Sequence, residues 1–244
     1  MKRNKMFFLF TLGLLICFSS SLSALLTISS LYTVYSSHTI NDDVLITSNG
    51  AITSYGGHHT LTINGNVTNN GNIRNHEYDY YLYLEVSSDV INNGSWRCAN
   101  TYLTGTSSQG ISCGSANNFS GWNFFNTNAD SIIVQSNLNF LSYHVDFQDN
   151  GHLDLSGGWN LNLSGGNICN ADIIGEPVSG SGLNMTNYAY AASCSLENMI
   201  STGVTLIADS GCSITGFFIN NGTLKSTGSN QTLTINGNII NNGS

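Results

Sequence analysis

Charge is scarce in this sequence. Asp, Glu, Lys and Arg make up 8% of 244 residues, against about 25% in an ordinary soluble protein. Disordered chains are charge-rich and poor in β-branched and aromatic residues, so this composition excludes disorder. Only six residues are basic and the formal charge is −8, which excludes nucleic acid as a partner. Proline is almost missing, with Pro177 alone. No apolar run reaches the roughly 20 residues of a membrane anchor. The mature chain shows no amphipathic helix, which removes leucine-rich repeats. It has no GxSxG, P-loop, HExxH, dinucleotide fingerprint or GGxGxD repeat. What fills the deficit is Asn, Ser, Thr and Gly.

Residues 1–5 are basic, Met6 to Phe18 are apolar, and Ser19 to Ala24 are mostly small. That order reads as a secretory signal peptide spanning 1–24, cut near Ser23 or Ala24. Its removal leaves Arg74, Arg97 and Lys225 against fourteen acids, a formal charge of −11. Cys98, Cys113, Cys169, Cys194 and Cys212 remain. Export permits disulfides, but the number is odd and the spacing fits no metal motif, so buried small side chains are expected. The disulfide pairing stays open.

The main signal is a repeat. Thr60-Leu-Thr-Ile-Asn-Gly-Asn-Val-Thr-Asn-Asn-Gly71 returns as Thr232-Leu-Thr-Ile-Asn-Gly-Asn-Ile-Ile-Asn-Asn-Gly243, with ten of twelve positions identical. Partial copies stand at 90–94 and 218–222. Gly71 and Gly94 are 23 apart, Gly222 and Gly243 are 21 apart. A fixed period in the twenties indicates a solenoid. Leu61, Ile63 and Val67 alternate with polar residues, as in a strand with one buried face. Asn-Gly pairs punctuate the runs and suit turns that need a left-handed residue. They would also fit antiparallel hairpins, but the period favours short strands stacked coil on coil. Stacked Asn side chains can then hydrogen-bond along the stack.

The repeats at 60–73, 90–95 and 218–244 resemble the right-handed parallel β-helix of the pectin-lyase-like superfamily. They look still more like the Asn/Gly-rich β-helical stalks of bacterial surface and adhesin-like proteins. The expectation is an all-β chain: a right-handed parallel β-helix over 25–244, in coils of about 21–23 residues. The last residues stop mid-repeat, so the solenoid is expected to continue further or to lack a cap. Residues 98–130 and 169–200 break the rhythm and are expected to project as loops, where function collects in such folds.

Two constellations stand out. His144-Val-Asp146-Phe-Gln-Asp149-Asn-Gly-His152-Leu-Asp154 holds three Asp and two His in eleven residues. Asp146, Asp149, Asp154 and His152 could serve glycoside hydrolysis on a neutral glycan. However, the resemblance implies a Gly-His-Gly turn and a basic motif for such enzymes. Here Leu153 follows Gly151-His152 and no basic motif follows. The reading of this cluster as an exposed polar strand face is favoured. The second constellation is Tyr78, Tyr80, Tyr81 and Tyr83, which could stack on sugars or meet a protein partner. The expected function is therefore a non-catalytic protein, secreted or on the cell surface, structural or adhesive. The alternative is a carbohydrate-active β-helix enzyme. Expected partners are a glycan or a cell-surface protein, with end-to-end self-association. No cofactor, metal, nucleic acid or membrane span is expected.

Overall fold

The computed structural model describes residues 24–244 apart from 116, 129, 147–151, 166, 170–171, 175–181, 187–189, 193–197, 201, 203, 209–211 and 227. The signal segment thus lies outside the described residues, Ala24 excepted. Among the described residues every element is a strand, and all 27 join one sheet. All strand pairings are parallel. The chain is a right-handed parallel β-solenoid. The first coil comprises Leu25–Ile28, Leu31–Val34 and His38–Ile40, and each of these founds one of three ladders.

The ladders place like residues above like. In the first, Val44, Val67, Val90, Ile111 and Val134 stack inward. In the second the inward column is Ile52, Ile73, Trp96, Phe119, Phe140, Leu163 and Met185. In the third it is Leu61, Leu84, Thr101, Phe124, Val145 and Ile168. These side chains are at most 3% exposed. Alternation puts every second residue outside. The widest part of the core is aromatic: Phe119 lies 5.2 Å from Trp96, 5.4 Å from Phe124 and 5.5 Å from Phe140, ring centre to ring centre. The Trp96 indole N–H donates to the buried Thr101 hydroxyl at 2.8 Å, so its polar end is satisfied.

Most coils keep the expected length. Val67 faces Val90, a step of 23, and Val90 faces Ile111, a step of 21. Outliers exist: Leu26 faces Val44, a step of 18, and Ile173 faces Ile200, a step of 27. The variation falls at the corners, where no ladder constrains it.

Asparagine runs along the stack as amide ladders. Asn69 Nδ2 donates to Asn92 Oδ1 at 2.9 Å and Asn93 Nδ2 to Asn70 Oδ1 at 3.1 Å. Asn139, Asn162 and Asn184 form another run, at 2.8 and 2.7 Å. The glycines of the Asn-Asn-Gly turns serve a different purpose from the one expected. Gly71 and Gly94 are not left-handed. A Cβ on Gly71 would strike the carbonyl oxygens of Gly50 and Thr47, and one on Gly94 the carbonyl of Gly71. Glycine recurs because consecutive coils touch backbone to backbone there.

Residues 98–130 do not form a projecting loop. Asn100–Leu103, Gln109–Cys113 and Phe119–Asn126 are strands in register with their neighbours. The Ser/Gly/Asn content supplies corners, and Phe119 and Phe124 point inward. Strands also run through 169–200, at Asp172–Ile174, Gly182–Thr186, Tyr190–Ala192 and Asn198–Ile200. Pro177, residues 179–181 and Tyr188 lie outside the described residues.

Candidate functional site

The corner between the second and third ladders carries a strip of aromatic rings. It begins with a column: the Tyr55 amide donates to Val34 O at 3.0 Å, which seats Tyr55 over Tyr35. Their rings meet edge to face at 5.9 Å, and Tyr55 meets His76 of the next coil at 5.0 Å. Residues 76–81 then bulge outward as a short loop. Ser54 donates to Tyr80 O at 2.7 Å, and the His76 amide donates to the same oxygen at 3.1 Å. Asn75 Oδ1 accepts the amides of Leu82 and Ala99, at 3.0 and 2.9 Å, and clamps the loop base to two coils. Asp79 takes the left-handed conformation at the tip, φ 57°.

Beyond the loop the strip continues. Tyr81 stacks flat on His58 at 4.5 Å and 6°. Its backbone N–H donates to His58 Nδ1 at 3.1 Å. Trp122 and Tyr81 meet edge to face with ring centres 4.2 Å apart, while Ala99 at the same corner of the intervening coil is fully buried. Tyr83 lies 6.5 Å from His58. Of the four sequence-derived tyrosines, Tyr78 and Tyr80 thus pack around His76, at 5.3 and 5.8 Å, and Tyr81 and Tyr83 around His58. Tyr35, Tyr55 and His76 were not singled out by sequence, and His58, beside His59, and Trp122, within 98–130, gave no sign of meeting the tyrosines. The spacings Tyr35 to Tyr55 and Tyr55 to His76, 20 and 21 residues, carry the coil period and were the available signal.

The strip presents some rings and braces them with others. Tyr35, Tyr55, Tyr78 and Trp122 are 69%, 44%, 70% and 40% exposed. Tyr80, Tyr81 and His76 are half-buried beneath or between them. Polar groups border it: Arg74 and Arg97 sit in register on adjacent coils, with Glu77, Asp79 and Glu85 close in sequence. Arg74, Asn75, His76 and Glu77 line one shallow groove.

The His144–Asp154 constellation is split between faces. His144 and Asp146 lie on the third ladder, in Leu138–Asp146. His152 and Asp154 lie in His152–Asp154 on the first ladder. Asp149 lies outside the described residues. His144 Nε2 stands 3.6 Å from Asp146 Oδ2, and Asp154 Oδ1 accepts the Ser156 amide at 2.8 Å. Outward on the same ladder, Tyr102 stacks on Phe125 at 5.0 Å, and Phe125 meets His144 at 5.8 Å. Among the described residues no three His, Cys, Asp or Glu converge as a metal site would require, and no helix is long and apolar enough to cross a membrane.

Cys98 and Cys113 are free and buried, and Cys212 is buried. Burial pushes the Cys98 thiol up to about 11, against the help of the Thr101 hydroxyl, and such a thiol is inert. The side chains of Cys169 and Cys194 are outside the described residues. No protein-family model, no curated protein and no solved structure matches this chain.

Proposed function

We propose that this chain is an exported β-solenoid of the bacterial cell surface, structural or adhesive, and non-catalytic. The observation that supports this best is the braced aromatic strip on a laddered rod. Exposed aromatic surface is costly to keep in water and marks contact with a partner. The apolar N-terminus agrees with export. The kinship proposed is with adhesin-like members of the pectin-lyase-like β-helices. End-to-end self-association is part of the same reading.

Production of the full chain in bacterial cells tests this reading. The expected mature N-terminus lies near residue 24, and protease added outside intact cells should degrade the protein. An uncleaved chain sheltered inside the cell sinks the proposal.

The enzyme alternative keeps one supporting observation, the His144–Asp146 contact beside Phe125. A carboxylate against an imidazole is an arrangement used in acid–base chemistry. Glycosidase turnover by the purified protein that disappears in Asp146→Asn would favour it; no turnover on a neutral glycan panel removes it.

A further inference from the structure

Resting on the adhesive reading, we infer that the corner strip binds a neutral oligosaccharide laid along the solenoid axis. Three observations point there. First, the rings that face solvent are held in place before any ligand arrives. Tyr78 is 70% exposed yet stacked on His76 at 5.3 Å, and Trp122 is 40% exposed yet seated on Tyr81 at 4.2 Å. Preorganised faces lose little entropy on binding, and the apolar C–H face of a sugar ring packs on an aromatic face.

Second, the polar groups beside the rings are planar and carry several donors or acceptors. Arg74, Arg97, Asn75 and Glu77 can each bond two hydroxyls at once. Their net charge is small: two guanidinium groups stand against the carboxylates of Glu77, Asp79 and Glu85, the last already accepting from the Thr62 hydroxyl at 2.7 Å, so a highly charged polymer of either sign is not favoured. Third, the strip passes along five consecutive coils, from Tyr35 to Trp122. At about 4.8 Å per coil that is roughly 20 Å. Such a length offers several stacking positions and so fits an oligomer rather than one sugar.

The test uses the purified full chain and a printed panel of neutral oligosaccharides: gluco-, manno-, galacto- and N-acetylglucosamine series, with sialylated and sulfated counterparts. At least one neutral series should be retained, with affinity rising with length. Tyr78→Ala and Trp122→Ala should each weaken it by about tenfold or more, the size of an interface hot spot. Ile133→Ser, at an exposed residue of the first ladder, should leave binding unchanged. Unchanged melting temperatures show that the variants fold. Retention of charged glycans alone, of none, or with no loss in both aromatic variants overturns the inference. Because the protein is purified, these outcomes are separate from failure of export.

Discussion

Asn92 uses its whole amide inside the stack. Its Oδ1 accepts from Asn69 Nδ2 at 2.9 Å and from the Gly94 amide at 3.3 Å. Its Nδ2 donates to Asn118 O at 3.0 Å. The residue is fully buried, whereas its neighbour Asn93 makes a single ladder bond at the surface. A buried group left unpaired costs about 1–3 kcal/mol. Asn92→Ala should therefore lower stability by about 2–4 kcal/mol and Asn93→Ala by less than about 1 kcal/mol, read from urea midpoints; equal losses would show that the inner ladder is not special. Cys98 gives a second residue-scale expectation. Its thiol ionises near 11 in the fold against 9.0 ordinarily. Between those values the folded state holds a proton that the unfolded chain releases. Its contribution is full below pH 9 and is lost as pH rises towards 11, by about 2–3 kcal/mol at most. Stability measured across that window should fall less steeply in Cys98→Ala than in the natural chain, and parallel curves would exclude the effect.

At the scale of the turn, backbone contact is the demand. Gly71→Ala places a methyl group against the backbone of the preceding coil, which can yield only by parting two coils. Gly56 is the contrast: it is left-handed, φ 81°, with open space where a Cβ would go. Gly56→Ala should cost about 1–2 kcal/mol, and Gly71→Ala distinctly more, with loss of protection in amide exchange at Asn70 and Asn72. These two amides report the parting because they donate to Ile46 O and Gly50 O of the preceding coil; an equal or smaller loss for Gly71→Ala would mean that the coils separate easily. The same turn shows why the fold was legible. Close approach forces glycine, and laddering favours asparagine, so Asn-Asn-Gly repeats wherever one corner repeats. Other features left weaker traces. Phe119 and Phe124 both point inward but are five residues apart, because the strand turns a corner between them, so simple alternation fails. The strip was half legible. Tyr78 to Tyr83 cluster in sequence, whereas Tyr35, Tyr55, His76 and Trp122 meet only through the register of separate coils. The polar run from His144 to Asp154 belongs to two ladders, His144 and Asp146 to the third and His152 and Asp154 to the first, so neighbours in sequence leave on different faces.

For the whole molecule, the coil is the unit of stability. Each coil touches only those above and below it, so the energy is close to a sum over neighbours. Deleting residues 67–89 removes one full step of the first ladder, since Val44, Val67 and Val90 share a column. Val90 then takes the place of Val67, Trp96 that of Ile73 and Thr101 that of Leu84, each still facing inward. The shortened chain should fold, with a parallel-sheet circular dichroism spectrum and a modestly lower melting temperature. It also loses residues 76–81, so its binding to neutral oligosaccharides should vanish. Deleting Leu84 alone should do more harm to the fold. Within Leu82–Val86 the inward residues are Leu82, Leu84 and Val86, and removal of one residue turns Glu85 into the core and Val86 out. A buried carboxylate without a partner costs several kcal/mol, and no corner lies inside the strand to absorb the shift. Limited proteolysis should therefore spare the chain that lacks twenty-three residues and cut the chain that lacks one. The opposite ranking would mean that something other than coil register holds the rod together.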